Sequence, residues 1–322
     1  MLKIKILEPI DNLCDYTFNF CWNDSKLQPE DMIPSQEATY FTYADLVAEL
    51  KASRDVHIDG NVGKRLAYSM GTDLKHLGGT GEVQKAGNIF VQGDIGSEAG
   101  MGMAGGNLYV KGSITEPLGN ILEVTSDIEG YRKFRSITDI LFNGPDKDTL
   151  KGNSLVEDIL KLNDGILRGT IGARCNWRGT IVVEGDVYNG TGVLMKQGTI
   201  TINGNAGMNT GSHLNGGTIV VHGNVGEFSG AYMKKGKLLF TSAKGYVGAG
   251  LTGGAIYSKK KANTSPPAAK ARMEKADIEF IRKTMETGRV ESMLYNKYEA
   301  EKEKEKFEAV HMRDGSIVMR KI

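Results

Sequence analysis

The chain has 322 residues, and its 40 lysines and arginines almost balance its 39 aspartates and glutamates. This balance gives no whole-chain argument for binding to nucleic acid or to an anionic membrane. No apolar run reaches the roughly 18 residues of a membrane helix, and the N-terminus shows no signal-peptide pattern, so we expect a cytoplasmic protein. The 42 glycines are about twice the usual share and indicate a fold that turns often.

The first 55 residues are predicted to form an N-terminal cap. The stretch MLKIKILEP is typical of a strand, and residues 43–51 have the apolar spacing of an amphipathic helix. Thr42 is the expected N-cap of this helix, and Asp45, three residues later, has the spacing of a capping box.

A short motif then repeats along the chain, with apolar residues at alternate positions and a glycine at each end. Within each of two groups, the opening glycines are 19 residues apart, and a degraded copy opens at Gly254. The clear copies GNIFVQG, GNLYVKG, GTIVVEG, GTITING and GTIVVHG, with the weaker GKLLFTS, open at residues 87, 106, 179, 198, 217 and 236. The alternation predicts strands with one buried face.

So short and constant a period leaves no room for crossover helices, so each strand can pair only with its copy one turn away. Nineteen residues of extended chain with corners make a closed loop of about 60 Å, and such loops stack at about 4.8 Å. The sequence therefore predicts a mainly β fold. Residues 56–260 are expected to form a right-handed parallel β-helix with a continuous core.

Two sets of residues occupy fixed positions in each turn. The closing glycines are predicted to let the chain bend, and an apolar residue three positions before each opening glycine is predicted to form a stacked interior column. The predicted turns are Gly93, Gly112, Gly185, Gly204 and Gly223, and the predicted column is Met103, Met195, Leu214, Met233 and Leu251.

One segment matches the glycine pattern of dinucleotide-binding proteins. It is Gly100-Met-Gly102-Met-Ala-Gly105, and a second match begins at Gly248. Both lie at the same position of the repeat, and the first is followed by a strand, whereas a dinucleotide fingerprint opens a helix. We therefore interpret both as turns of the solenoid.

The repeat is interrupted between residues 113 and 171, where we expect an insertion that carries partner contacts. Helix-like spacing at 131–142 and 154–162 predicts helices, and GNILEV is the best candidate for a distorted turn. A smaller insertion is expected near 71–86.

Residues 261–322 are predicted to contain a linker, two amphipathic helices and a C-terminal hairpin. The hairpin is expected to turn at Asp314-Gly315. The apolar stripe of the first helix is Ile278, Ile281 and Met285, and that of the second is Val290, Met293, Leu294 and Tyr298.

The sequence offers few candidates for catalysis. The five histidines have no metal-ligand spacing, the three cysteines form no Cys-x-x-Cys pair, and no Gly-x-Ser-x-Gly occurs. We therefore expect no catalytic, cofactor-binding or metal-binding residue in this chain. An independent β-helix hydrolase is a less favoured alternative, because polysaccharide-cleaving β-helices need carboxylate clusters on outward strands, and these strands carry mostly Thr, Asn, Val, Gln and Lys.

The repeat resembles the Gly-x-Gly-x-Gly β-helix family over residues 56–112 and 172–257. Two members are relevant: the β-helix subunit, termed C, of formylmethanofuran dehydrogenase, the tungsten or molybdenum enzyme of methanogenic archaea, and the C-terminal domain of the glutamate synthase large subunit, which in archaea is often a separate polypeptide. EFSGAYMKKG and TIVVEGD are most similar to the dehydrogenase subunit. VHIDGNVGKRLAYSMG and MEKADIEFIRKTME are more similar to the synthase polypeptide.

This resemblance implies a non-catalytic scaffold subunit of a multisubunit oxidoreductase, with the formylmethanofuran dehydrogenase subunit preferred and the glutamate synthase subunit as the alternative. It further implies that partner subunits carry the cofactors. These would be a tungsten or molybdenum pterin with iron–sulfur clusters in the first case, and FMN with iron–sulfur clusters in the second.

Overall fold

The computed structural model describes residues 1–18, 27–144, 149–301, 307–311 and 317–321. Over these residues the chain coils into a β-solenoid of about nine turns. Strands of successive turns pair in parallel at the predicted period, as in Ile200 with Ile219. The predicted mainly β solenoid is therefore confirmed.

The strands, in chain order, are β1 (Leu2–Lys5), β2 (Val56–Asp59), β3 (Ile89–Val91), β4 (Asn107–Val110), β5 (Ile121–Val124), β6 (Arg132–Ser136), β7 (Asn153–Val156), β8 (Ile159–Leu162), β9 (Asn176–Val183), β10 (Gln197–Ile202), β11 (Asn215–Val221), β12 (Asn224–Val225), β13 (Lys235–Phe240), β14 (Ser242–Ala243), β15 (Ala255–Ser258), β16 (Ala268–Ala271), β17 (Asn296–Ala300), β18 (Phe307–His311) and β19 (Ile317–Lys321). The helices are α1 (Tyr43–Lys51), α2 (Ile137–Asn143), α3 (Lys275–Thr284) and α4 (Arg289–Ser292), with a short 3-10 helix at Lys75–Leu77. None of the helices in the described ranges is long and apolar enough to cross a membrane.

Two long sheets form the main wall of the solenoid. The first has the order β1-β2-β3-β4-β6-β5, and the second has the order β16-β17-β15-β13-β11-β10-β9-β8-β7. Their central strands are parallel, whereas antiparallel strands lie at the ends next to the insertion and at the C-terminus. Inward side chains such as Ile181, Ile200 and Ile219 are buried one above the other, so the period-two pattern places one apolar residue in each layer of the core.

The N-terminal elements form as predicted. β1 pairs in parallel with β2 and so forms the first layer of the solenoid. The backbone N–H of Asp45 donates to Thr42 Oγ1 (3.2 Å), and the Thr42 N–H donates to Asp45 Oδ2 (2.8 Å), so the capping box of α1 is confirmed.

The two helices predicted in the insertion are largely wrong. Only Ile137–Asn143 of the first is helical, because residues 132–136 form β6, which pairs antiparallel with β4 and β5. Residues 154–162 form the hairpin β7–β8, and β8 adds in parallel to β9. The free edges of β4 and β9 accept these strands, and backbone pairing there outweighs local helical spacing. GNILEV, the candidate for a distorted turn, contains β5, which pairs antiparallel with β6.

The C-terminal part is only partly as predicted. The first helix is α3, and its Ile281 is buried against Leu239 and Tyr257 on the outside of the solenoid wall. The prediction of the second helix is wrong beyond the short α4, because Tyr298 lies in β17. This strand pairs antiparallel with β15 and covers the free edge of the last turn. The strands of the predicted hairpin pair as β18 and β19, whereas Asp314-Gly315 lies outside the described residues. The domain limits at residues 55 and 260 stay a prediction.

A buried ion pair fixes the C-terminal elements to the last turn. Asp277 of α3 accepts hydrogen bonds from the Tyr257 hydroxyl of β15 (2.7 Å) and from Lys297 Nζ of β17 (2.9 Å). Burial alone would raise the pKa of Asp277, but hydrogen bonds from Tyr257, the Glu274 backbone N–H and Lys297 lower it overall. Because the folded-state pKa is below the ordinary value, this carboxylate stabilises the fold fully above pH values near 4, and the stabilisation is lost as pH falls through the folded pKa.

We therefore expect Asp277→Asn to lower the free energy of unfolding at pH 7 by about 2–4 kcal/mol, because it leaves Lys297 buried without this carboxylate. The difference in unfolding free energy between the variant and the natural protein should become smaller as the pH falls through the pKa of Asp277 in the folded state. Urea unfolding followed by circular dichroism, at pH 7 and at a pH below that pKa, measures this difference. Glu279→Gln on the same helix is the control, since the ion pair of Glu279 with Arg282 is exposed. Equal effects of the two substitutions would contradict a specific role for Asp277.

Candidate functional site

The closing glycines lie at bends that follow a strand, but bending is not the main reason for glycine. Of the five closing glycines, only Gly185 has a left-handed backbone, with φ of +118°. At the other four, a Cβ would lie 2.3–2.6 Å from an Asn or Asp side-chain oxygen of the preceding turn; these are Gly93 on Asn61, Gly112 on Asp94, Gly204 on Asp186 and Gly223 on Asn205. Glycine is needed there because consecutive turns approach closely, which corrects the interpretation from the sequence.

The Asn and Asp side chains next to these glycines form a ladder between turns. Asp186 Oδ1 accepts from the backbone N–H of Asn205 (2.7 Å), and Asn205 Oδ1 accepts from that of Asn224 (2.9 Å). In the first half of the solenoid, Asp94 Oδ1 accepts from the Ser113 N–H (2.7 Å). Each missing Cβ thus leaves space for a side-chain hydrogen bond that joins two turns.

The five residues of the predicted interior column are all buried: Met103, Met195, Leu214, Met233 and Leu251. They do not share one core. Met103 packs in the apolar cluster of the N-terminal half, and the other four pack in the cluster of the C-terminal half. The insertion contributes residues to both clusters, such as Phe134 to the first and Ile140 to the second.

A second wall of the solenoid consists of alternating left-handed residues, and between residues 170 and 250 there are three of them in each turn. In one turn they are Phe228, Gly230 and Tyr232, with φ values of 58°, 70° and 53°. The outer two donate their N–H groups to the next turn, to Gly245 O and Ala249 O, and the middle one donates to the preceding turn. We call this surface the left-handed wall.

The middle position of the left-handed wall is glycine in five consecutive turns, at Gly172, Gly192, Gly211, Gly230 and Gly248. A Cβ at Gly192 would lie 2.2 Å from Ile219 Cδ1 in the core. Gly100 has the same role in the first half, where its N–H donates to Leu66 O (2.8 Å). The segment with the dinucleotide pattern therefore forms turns and continues into β4, as the sequence predicts.

Aromatic side chains occupy outer positions of the left-handed wall in its last turns. Phe228 stacks on Tyr246 with ring centroids 4.9 Å apart, and His213 stacks on Tyr232 at 5.0 Å. All four are exposed, and Tyr232 keeps 56% of its surface open. We call these four residues the aromatic patch. Partial desolvation of the ring and the charge of Lys234 lower the pKa of His213 below its ordinary value.

Left-handed φ costs a bulky residue of order 1–3 kcal/mol, so these positions are unusual places for aromatic rings. The backbone there is held by hydrogen bonds on both sides, so the rings are presented on a rigid surface. Contiguous exposed aromatic side chains are typical of protein interfaces. Sequence reasoning missed the patch, although the signal was present: Phe228 and Tyr246 fall where another turn has Asn209, and Tyr232 falls where that turn has His213.

A second aromatic row is already covered by the chain itself. On the outer face of the first sheet, Phe90 stacks between His57 (4.4 Å) and Tyr109 (4.6 Å). Tyr131 of the insertion packs edge-on against Phe90 and Tyr109, and both are buried. This row therefore stabilises the insertion and is closed to a partner.

Metal and thiol chemistry has little support in the described part of the chain. No group of three or more His, Cys, Asp or Glu residues there could hold a metal ion. Cys14 and Cys175 are buried thiols, and burial raises the pKa of Cys175 to about 11. Cys21 lies outside the described residues.

Comparison with known proteins gives a relative without an assigned role. No family model matches the chain. A protein of Methanothermobacter thermautotrophicus, described only as uncharacterized, is 41% identical over 203 residues, which cover 61% of this chain and 64% of that protein. The chain thus spans less than two thirds of that relative. Among solved structures, the FhcABCD formyltransferase/hydrolase complex from Methylorubrum extorquens with methylofuran matches at 15% identity over 91% of each chain, with a TM-score of 0.27. A similarity this weak does not bear on function.

The spacing of the turns predicts the effect of a single methyl group. We expect Gly204→Ala to lower the free energy of unfolding by roughly 2–3 kcal/mol, because its Cβ would overlap Asp186 Oδ1 and the Gly185 backbone. Gly288→Ala is the control, since a Cβ there meets no atom within 4 Å. Urea unfolding of both variants measures the difference. A Gly204→Ala protein as stable as the control would show that close approach is not what requires glycine.

Proposed function

We propose that this chain is a non-catalytic docking subunit of a multisubunit oxidoreductase, most similar in role to the β-helix subunit of formylmethanofuran dehydrogenase. The observation that carries the proposal is the aromatic patch on the left-handed wall. Its rings are exposed, stacked in pairs and mounted on a backbone that both neighbouring turns hold. Such a surface loses little conformational entropy when a partner covers it.

The repeat supports the same role. The motif that resembles the Gly-x-Gly-x-Gly family forms the solenoid itself, and its glycines serve turn stacking. In the family, the β-helix positions subunits that carry the cofactors. By this resemblance a tungsten or molybdenum pterin and iron–sulfur clusters belong to the partners, and the chain contributes surface and rigidity. A cytoplasmic location is part of the proposal.

The alternative is the corresponding subunit of an archaeal-type glutamate synthase. The two assignments predict different cofactors in the natural complex. Affinity purification of the tagged full-length chain from its own organism, followed by metal and flavin analysis, distinguishes them. Co-purified tungsten or molybdenum with a pterin supports the dehydrogenase role, and FMN with amidotransferase partners supports the synthase role. Oxidoreductase or hydrolase turnover by the isolated chain would overturn both.

The aromatic patch predicts which substitutions release the partners. We expect the double variant Phe228→Asn, Tyr246→Asn to weaken association with the co-purifying subunits by about tenfold or more, because aromatic anchors dominate interface energy. Asparagine tolerates left-handed φ and already occupies the equivalent position at Asn209, so the variant should fold. Quantitative pull-down against the natural protein measures the loss.

Tyr40→Asn is the matched control, because Tyr40 is 82% exposed but lies outside the left-handed wall. It should leave the association unchanged. Equal association of the double variant and the natural protein would contradict docking through the aromatic patch.

A further inference from the structure

A cleft opens where the insertion interrupts the main wall. The first sheet ends in β6 and β5 and the second begins with β7 and β8, so β4 and β9 are not neighbours. The space beside them has a volume of about 610 Å³ and is lined by residues 82–86, the start of β4, helix α2 and the start of β9. We call it the insertion cleft. Its volume lies in the usual range of small-molecule sites, about 300–1,000 Å³.

The insertion cleft carries an excess of positive charge. Two acidic residues line it, and each is engaged by a cation: Asp139 by Arg135 Nη2 (2.7 Å) and Glu82 by Lys196 Nζ (2.7 Å). The cationic residues that line it are Lys85, Lys133, Arg135, Arg174 and Lys196.

Two of these cations lie deep in the structure. Lys133 and Arg135 keep only 7% and 5% of their surface exposed. Lys133 Nζ lies 3.3 Å from Asp127 Oδ1, and Asp127 lies outside the lining of the cleft. Each of these two buried cations is thus paired with a carboxylate, Lys133 with Asp127 and Arg135 with Asp139.

Arg174 is the cation with the least compensation. Its guanidinium is half-buried, and its one hydrogen bond to the described residues runs from Nη1 to Gly81 O at 3.3 Å. Four of its five N–H donors thus have no protein acceptor there, and no carboxylate of the described chain lies within ion-pair distance. Burial lowers the pKa of Arg174. Hydrogen bonds from a guanidinium to an anion are among the strong ones, and an anion in the cleft would accept from these open donors.

Two aromatic side chains line the cleft, together with uncharged polar residues such as Asn107 and Asn176. Trp177 of β9 lines one side, and Phe142 of α2 lines the cleft with 74% of its surface exposed. The Trp177 ring lies over Gly179, where a Cβ would be 2.2 Å from Cη2. The absence of a side chain at Gly179 thus leaves room for the indole ring.

We propose that the insertion cleft binds a small organic anion, with its carboxylate or phosphate on Arg174 and a flat apolar part against Trp177. The half-buried position of Arg174 in the cleft favours a small ligand over a protein surface, because a docking protein would have to insert an acidic side chain to reach it. This site shares no residue with the aromatic patch, so the anion proposal is tested independently of the docking proposal.

Isothermal titration calorimetry on the full chain tests the proposal with three probes: phenyl phosphate, phenylacetate and inorganic phosphate. We expect one phenyl compound to bind saturably at one site per chain. The tighter of the two identifies phosphate or carboxylate as the preferred group. Inorganic phosphate should bind more weakly, because it lacks the flat apolar part.

Arg174→Gln should weaken binding of the tighter phenyl probe by about tenfold or more, as expected for the loss of a charge-assisted contact. Trp177→Leu should weaken binding of the same phenyl probe and leave the binding of inorganic phosphate unchanged. Arg178→Gln is the matched control for Arg174→Gln. Arg178 lies on β9 next to Trp177, is exposed and does not line the cleft. This variant should bind as the natural protein does.

Three results would overturn the proposal: no binding of any probe at millimolar concentration, binding that Arg174→Gln leaves intact, or equal losses in Arg174→Gln and Arg178→Gln. Thermal unfolding of each variant reports folding. If Arg174→Gln is unstable, Arg174→Lys replaces it, and this variant must bind phenyl phosphate more weakly than the natural protein because it loses the forked guanidinium.

Discussion

Within each half of this solenoid, stacked turns lie one strand spacing, about 4.8 Å, apart, and that distance decides which residues the repeat can contain. At the closing glycines it leaves no room for a Cβ beside the Asn or Asp of the preceding turn. In the left-handed wall it forces alternate N–H groups to donate up and down, with glycine in the middle where Ile219 and its equivalents fill the core. The high glycine content is thus a consequence of stacking more than of flexibility.

The sequence predicted what depends on the period and missed what depends on sheet edges. A 19-residue repeat with alternating apolar positions allows little except parallel stacking, so the solenoid and the capping box of α1 could be foreseen. Residues 132–136 and 154–162 are too short for periodicity to separate helix from strand. Their conformation is set by the free edges of β4 and β9, which only the folded structure provides. The same reason applies to Tyr298, which lies in β17 because that segment pairs with the open edge of β15.

The candidate surfaces were beyond prediction for a related reason. The aromatic patch depends on non-glycine residues in left-handed conformations, and local propensity argues against these. The insertion cleft gathers Glu82, Arg135, Arg174 and Lys196 from the small insertion, the large insertion and two turns of the second half. No spacing along the chain marks such a group. Only the interruption of the main wall brings it together.

Where the insertion rejoins the second half of the solenoid, this fold supplies hydrogen-bond acceptors to another arginine, which is buried and has a structural role. Arg168 is almost fully buried, and its guanidinium binds both carboxylate oxygens of Asp164 (2.7 and 2.6 Å) and donates to Ile121 O (2.9 Å). Arg174, six residues later, has a single long hydrogen bond, to Gly81 O, among the described residues. The contrast between the two arginines shows what the proposed anion would add: charged acceptors for Arg174 of the kind that Asp164 provides for Arg168.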